Sequence, residues 1–189
     1  GGFIGSYATL ILDEGRVKEL NIDDIYNPDG QIELRNIGVS PPQPIGEFLS
    51  EDRLYIRNAN WDPDFSRSAA QIKDLFFKLN GEDIAGMVTV DLNFVSDLLK
   101  VTGPVFLTPY NEEINSENLY ERTQFHASFD FEDGSQQKRQ FLTVLGGKLI
   151  ESLFAQDNVK TQDLIATIVT ALDERHMQIH LFSSSLNAF

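Results

Sequence analysis

The chain has 189 residues, of which 41% are hydrophobic and 23% charged, and its formal net charge at pH 7 is −14. This composition is that of a folded globular domain, and so acidic a surface repels nucleic-acid phosphates, which argues against general nucleic-acid binding. The absence of cysteine excludes disulfides, thiolate metal sites and cysteine nucleophiles. No apolar run approaches the ~20 residues that a membrane-spanning helix needs.

The first third of the chain predicts a β-hairpin and then a long loop. Residues 3–12 are apolar, residues 13–15 form a turn signal, and residues 16–22 alternate polar and apolar side chains. The chain begins without Met in a strand that is already under way, so we interpret it as a fragment of a longer protein whose targeting or anchoring segment lies outside it. Four of the seven prolines fall within residues 26–46, which predicts an extended loop.

The middle of the chain predicts a short strand, a helix and a strand–helix–strand unit. Residues 54–56 are the short strand, and an amphipathic helix runs from about Ser66 to Asn80-Gly81. Residues 84–90 form a near-continuous apolar run, which predicts a buried strand. Asp91 is suited to cap the next helix, which Gly103-Pro104 ends before a strand at 105–107.

The last third predicts three helices and a strand. The helices are residues 116–125, a long helix after the polar stretch 130–135, and a helix from Thr161. On this last helix we expect one buried face, made of Ile165, Ile168, Val169 and Leu172. Residues 177–182 alternate in the manner of a final strand.

The segment 57–65 is the most distinctive in the sequence. Arg57 is suited to bind a phosphate through two hydrogen bonds, and the amides of Asn58 and Asn60 lie beside it. Asp62 and Asp64 are the residues here that could ligate a hard cation. The alternative is a structural loop, in which Arg57 pairs with Asp62 or Asp64 and the single tryptophan is an anchor.

A second candidate site is Lys138-Arg139-Gln140 at the start of the long helix. Free N–H groups and the helix dipole favour anions at a helix N-terminus, so cations placed there oppose the dipole and are suited to serve a ligand. The alternative is an exposed face of salt bridges. The three histidines have no metal-ligand spacing, and we predict neither a metal site nor a cofactor.

Four segments occur in an order that resembles the bacterial family called domain of unknown function 4012. They are residues 1–7, 41–45, 57–65 and 101–105. The resemblance covers nearly the whole chain. It implies an extracytoplasmic protein anchored in the membrane through an N-terminal segment.

The order of elements also resembles, more distantly, the LytR-CpsA-Psr family of cell-envelope phosphotransferases. Those enzymes move glycopolymers from a polyprenyl-pyrophosphate carrier to peptidoglycan. Their Pro-Arg-Asp pattern corresponds to Ile56-Arg57-Asn58. Their Asp-x-x-Arg-x-x-Arg-Gln helix start is matched at Asp133, Arg139 and Gln140.

The departures from that pattern affect its charges. Asn58 stands where the family has an aspartate, Gln136 stands where it has an arginine, and the strand 5–9 lacks an acidic residue. These losses weaken magnesium-assisted phosphoryl transfer, which depends on charge neutralisation at the pyrophosphate. Arg57 and Arg139 remain as phosphate ligands.

The sequence therefore predicts a single α/β domain over 1–189, with a central mixed β-sheet flanked by helices as in the LytR-CpsA-Psr family. Its predicted function is the extracytoplasmic binding of an anionic ligand, such as a polyprenyl-phosphate-linked one, by a degenerate glycopolymer phosphotransferase. In that hypothesis Arg57, Asn58, Asn60, Lys138, Arg139 and Gln140 bind the ligand, and the two arginines line one cleft. The alternative is a non-enzymatic structural or protein-interaction domain.

Overall fold

The computed structural model describes residues 2–14, 16–128, 137–155 and 161–182, without the side chains of 127–128, 137–140 and 154–155. The strands in these ranges are β1 (Ser6–Asp13), β2 (Arg16–Asp24), β3 (Gly86–Val90), β4 (Val105–Leu107), β5 (Glu112–Ile114) and β6 (Met177–Leu181). The helices are α1 (Tyr26–Leu34), α2 (Gln43–Phe48), α3 (Phe65–Asn80), α4 (Leu92–Thr102), α5 (Leu119–Ser128), α6 (Gln137–Ala155) and α7 (Thr161–Asp173). Among the described residues, no helix combines the length and the apolar character that crossing a membrane requires.

The chain is mixed α and β, as predicted, and divides into two compact units. The first comprises residues 1–87 and 179–189, and the second comprises residues 88–178. The described strands form three two-stranded sheets, β1–β2, β3–β6 and β4–β5, in place of the predicted central mixed sheet. The strands β3 and β4 flank one helix as predicted, but they pair with different partners, so they do not build a common sheet.

The hairpin of β1 and β2 is confirmed. Ser6 pairs with Asp24, and Asp13 pairs with Arg16, in antiparallel register. Beyond Tyr7 the side chains of β1 are exposed, and we call residues 8–14 and 16–19 the arm. Successive side chains of a strand point to opposite faces, so the exposed Leu10 and Ile11 place apolar groups on both faces of the arm.

The predicted loop at 26–46 is wrong over much of its length, because it contains α1 and α2. Pro28 lies in the first turn of α1, and Pro44 lies in the first turn of α2. A proline is tolerated there because its missing N–H has no partner within the helix.

The predicted strand at 54–56 is also wrong. The amide of Leu54 donates to the carbonyl of Val39 at 2.8 Å, and the chain then turns into a 3₁₀ helix at Ile56–Asn58. Ile56 and Leu54 are buried with Ile25, Ile32 and Leu75 in the core of the first unit.

The helix α3 is confirmed at both ends. Asp64 accepts a hydrogen bond from the amide of Ser66, and Gly81 has φ 73°, a conformation that glycine adopts without strain. Ala69, Ile72 and Leu79 form its buried face, as expected of an amphipathic helix, and Phe76 is partly buried.

The strand–helix–strand prediction for residues 84–107 is confirmed as β3, α4 and β4. Asp91 caps α4 by accepting from the amides of Asn93 and Phe94. The strand β3 is not buried on both sides, since Val88 and Val90 are about half exposed. It pairs with β6: the amide of Asp91 donates to the carbonyl of His176, and that of Phe182 to the carbonyl of Ala85, so the two strands run antiparallel.

The helices of the second unit are present, with one error in the predicted faces. The helix α5 begins at Leu119, three residues after the predicted start, and Leu145 and Leu149 of the long helix α6 are buried. On α7 the buried residue is Ala171, whereas Ile165, Val169 and Leu172 are exposed. The helix is apolar around much of its circumference, so the sequence period does not identify the face that packs. The polar stretch 130–135 lies outside the described residues.

Candidate functional site

Arg57 lies in the 3₁₀ helix Ile56–Asn58 and is held by two carboxylates. Its Nη1 lies 3.0 Å from Oδ2 of Asp29, and its Nη2 lies 2.7 Å from Oε1 of Glu51. The guanidinium carbon also lies 4.0 Å from the centroid of the Tyr55 ring. The predicted partners Asp62 and Asp64 are therefore wrong, because Arg57 pairs with residues that precede it in the chain.

Asp29 is the buried member of this cluster, with 2% of its surface exposed. Its carboxylate accepts hydrogen bonds from the backbone amides of Ile56, at 2.7 Å, and Arg57, at 3.4 Å. Burial raises the pKa of Asp29, while the Ile56 amide and the charge of Arg57 act in the opposite direction. Asp29 thus ties α1 to the 3₁₀ helix and depends on Arg57 for its counter-charge.

The charges of the cluster do not favour an anionic ligand. Burial opposes the charge of Arg57, but the hydrogen bond that Arg57 donates to Glu51 and the charges of Asp29 and Glu51 outweigh it and raise the pKa of the guanidinium. One cation between two carboxylates leaves a net negative charge. A phosphate approaching Arg57 would meet the charges of both carboxylates, which repel it.

Asn58 is 3% exposed and is used internally. Its Nδ2 donates to Oε1 of Glu51 at 3.2 Å. Its Oδ1 and the Nε1 of Trp61 are buried and have no hydrogen-bond partner in the part of the chain that the structure describes. Buried polar atoms of this kind are commonly satisfied by bound water.

The backbone of the same segment holds the start of the described chain. The carbonyl of Arg57 accepts from the amide of Ile4 at 3.0 Å, and that of Asn60 accepts from the amide of Gly2 at 2.9 Å. Three of the predicted ligand-binding residues, Arg57, Asn58 and Asn60, therefore make structural contacts in the first unit.

The predicted cation ligands also have structural partners. Asp64 caps α3, and hydrogen bonds from Ser66 hold the pKa of its carboxyl below the ordinary value. Asp62 accepts from the amide of Asp64 at 2.8 Å, and both carboxylates face Arg67, at 3.9 and 3.6 Å. Across the described residues, no three His, Asp or Glu side chains form a metal-binding group.

The second candidate site lies at the start of α6. The helix begins at Gln137, so Lys138, Arg139 and Gln140 occupy its first turn, as the sequence predicts. Their side chains lie outside the described residues, as does Asp133. The convergence of Arg57 and Arg139 on one cleft stays a prediction.

In the second unit, two histidines pair with carboxylates. The ring of His126 stacks on Phe141 with centroids 4.5 Å apart, and its Nε2 lies 3.1 Å from Oε2 of Glu112. Glu112 also binds Arg122, whose hydrogen bonds hold the pKa of the Glu112 carboxyl below the ordinary value. His176 lies 2.7 Å from Oδ2 of Asp91, the cap of α4.

The sequence did not identify the two carboxylates that form ion pairs with Arg57. Asp29 lies in what the prolines suggested was a loop, and Glu51 follows α2 without any motif. No local signal marks either residue as a partner. Asp29 is recognised only in the fold, where its buried carboxylate accepts from the amides of Ile56 and Arg57.

These features define an acidic protein of mixed α and β structure, in which a partly buried arginine joins α1 to the segment 51–58. Residues 1–127 match the model of the family described as protein of unknown function (DUF4012), and the chain belongs to this family, as the sequence predicted. No curated protein and no solved structure matches the chain. The resemblance to the LytR-CpsA-Psr family is not shown by these comparisons.

Proposed function

We propose that this chain is a non-enzymatic interaction domain in which Arg57 is structural. The observation that carries the proposal is the pairing of both terminal nitrogens of Arg57 with Asp29 and Glu51. A phosphotransferase needs such an arginine as a counter-charge for the pyrophosphate. Here the arginine neutralises the protein's own carboxylates.

The arm supports the interaction part of the proposal. An isolated two-stranded hairpin is marginally stable in water, and exposed apolar side chains on a projecting element commonly mark contact surfaces. Leu12 is 62% exposed and Leu10 49%. A partner protein that covers the arm would remove these apolar groups from water.

The proposal also includes an extracytoplasmic location with a membrane anchor, which rests on the resemblance to membrane-tethered family members. The net charge of −14 supports a partner other than nucleic acid.

Titration with a short-chain polyprenyl phosphate, with and without Mg²⁺, tests the role of Arg57. We expect Arg57→Ala to leave any binding unchanged and to lower the unfolding temperature, because it leaves Asp29 buried without a counter-charge. Arg67→Ala, at an exposed arginine on α3, is the matched control and should change neither quantity. An Arg57→Ala protein with wild-type stability and at least tenfold weaker binding would contradict the proposal.

A second candidate function is the binding of an anionic, polyprenyl-phosphate-like ligand at the start of α6. The observation that favours it is the helix boundary at Gln137, which puts Lys138, Arg139 and Gln140 in the first turn. Backbone N–H groups in a first turn favour an anion, whereas cationic side chains there gain nothing from the dipole.

Replacement of these side chains separates a ligand role from a structural one. Lys138→Ala with Arg139→Ala should weaken binding of the same polyprenyl phosphate about tenfold and leave the unfolding temperature unchanged or slightly raised. Lys148→Ala removes one charge from a later turn of α6, where Lys148 pairs with Glu151, and should have no effect on binding. Equal losses in both proteins would indicate unspecific attraction and exclude this site.

A further inference from the structure

A cleft of about 300 Å³ opens in the first unit, between the inner end of the β1–β2 hairpin, α1 and the last turns of α3. This volume is at the lower end of the range for ligand sites. The side chains that decide its chemistry are Tyr7, Asp23, Asn27, Phe76 and Asn80. None of them belongs to the Arg57 cluster.

Asp23 is a carboxylate without an ionic partner in the described residues. Its Oδ1 accepts from the amide of Asp24 at 2.8 Å and from Nδ2 of Asn27 at 2.6 Å. Within the described ranges its Oδ2 accepts from the hydroxyl of Tyr7 alone, at 3.5 Å. Burial raises the pKa of Tyr7, and the charge of Asp23 and its hydrogen bond raise it further, so the phenol remains a neutral donor. Among the described residues Asp23 therefore has no ion-pair partner, and its Oδ2 is the less occupied of its two oxygens.

This distribution of hydrogen bonds favours an ammonium over a guanidinium. A guanidinium binds best when both carboxylate oxygens accept in parallel, and Oδ1 of Asp23 is already occupied twice. An ammonium is a compact charge that needs a single oxygen from the carboxylate. Its other protons match amide oxygens, such as that of Asn80 at the cleft.

The rest of the lining suits an apolar stem behind the charge. The rings of Tyr7 and Phe76 lie 5.3 Å apart between centroids and form one wall, with Pro28 and Leu79 beside them. Aromatic side chains also attract cations, and a net charge of −14 steers cationic partners toward the protein.

We propose that this cleft accepts a lysine side chain of a basic partner protein, with the ammonium on Asp23 and the methylene stem against Tyr7 and Phe76. The inference deepens the proposed interaction function and rests on it. It assigns the chemistry of the partner, which the exposed arm alone does not. An arginine or an acetylated lysine is a poorer fit, because the first needs both oxygens and the second has no charge.

The test is a calorimetric titration of the protein with a short, acetylated and amidated peptide that carries three lysines. We expect Asp23→Asn to weaken binding at least tenfold. Asp13→Asn, which makes the same charge change at the far end of the same hairpin, should stay within twofold. The corresponding arginine and acetyl-lysine peptides should bind at least fivefold more weakly than the lysine peptide.

Two further variants guard against a trivial loss of folding. Tyr7→Phe removes the weak hydrogen bond to Oδ2 and should preserve or tighten binding. Arg35→Gln should tighten it, because the guanidinium of Arg35 donates to the carbonyl of Leu79, at the cleft wall, and repels a cation. Weaker binding in both variants would overturn the proposal.

The remaining outcomes are also decisive. Equal weakening by Asp23→Asn and Asp13→Asn would show general electrostatic attraction and overturn the site. Binding of a neutral methyl glycoside that depends on Asp23 would overturn the choice of ligand class. If cadaverine bound as tightly as the peptide, the cleft would recognise an ammonium group, but the proposal that a partner protein supplies this group would be overturned. The proposed function is tested by a different measurement: it would fail if the protein bound polyprenyl phosphate in a manner that depends on Arg57.

Discussion

Arg57 and Asp29 form an ion pair between residues 28 positions apart, with 3.0 Å between Nη1 and Oδ2. Because Asp29 is buried, removing its partner should cost more than losing an exposed pair. We expect Arg57→Ala to lower the free energy of unfolding by about 3 kcal/mol, and Asp29→Asn to have an effect of similar size. Urea denaturation of the two single variants and the double variant measures this. The double variant should lose at least 1 kcal/mol less than the sum of the two, and strict additivity would contradict the coupling.

Asn58 stands where the phosphotransferase pattern has an aspartate, and the structure gives a reason why an aspartate is unfavourable here. Asn58→Asp places a buried carboxylate 3.2 Å from the Glu51 oxygen that now accepts from Nδ2. We expect a loss of about 2 kcal/mol at pH 7, since a hydrogen bond becomes a like-charge contact, and a smaller loss near pH 5. Thermal unfolding at the two pH values checks this. Asn60→Asp, at a less buried position of the same loop, is the control and should cost less.

Glu112 should contribute a pH-dependent part of the stability. Hydrogen bonds from Arg122, with His126 adding to them, place its folded-state pKa below the ordinary 4.5, so the unfolded chain binds more protons. This contribution is complete above the ordinary pKa and is lost as pH falls through the folded-state pKa. Between about pH 5 and 3, unfolding free energy should therefore decrease more steeply for the wild type than for Glu112→Gln. Arg122→Gln should flatten the curve in the same way, and a wild-type slope in both variants would exclude this role.

Asp91 both caps α4 and contacts His176. Its Oδ1 lies 2.9 Å from the amide of Asn93, and its Oδ2 lies 2.7 Å from Nδ1 of His176. Asp91→Ala should lower the unfolding free energy by about 1–2 kcal/mol, whereas Asp91→Asn keeps an acceptor for the cap and should lose less. Asp97→Ala, at a partly exposed residue of the same helix that pairs with Lys100, should stay within about 0.5 kcal/mol. Equal losses at Asp91 and Asp97 would show that the cap contributes little.

The elements that the sequence predicted correctly carry local signals. The sequence of the hairpin carries a turn signal between its strands, α3 has Asp64 and Gly81 at its ends, and α4 has Asp91 as its cap. Each signal acts within a few residues, so neighbouring residues suffice to recognise it.

The features that the sequence missed depend on contacts between distant residues. Pro28 and Pro44 are compatible with a loop or with a first helical turn. The burial of Ile32 in α1 and of Ile45 in α2 stabilises the helical conformation. Ile56 looks like a strand residue, but its amide bonds to the side chain of Asp29. Strand partners are equally nonlocal, which is why the sequence predicted one sheet where the described residues form three.

The route of the chain through β3 and β6 has a consequence for the order of folding. Residues 88–178 form the second unit. Residues 85 and 182, which flank it in the sequence, must come together before the first unit is complete. Closing an unstructured segment of that length costs on the order of 4 kcal/mol in chain entropy. Early folding of the inserted unit would hold Asp91 and His176 together and shorten the loop that remains to be closed. The pairing of β3 with β6 would then form last. At Gly86 an added Cβ would lie 3.2 Å from the carbonyl oxygen of His180, so a larger residue would disturb this pairing.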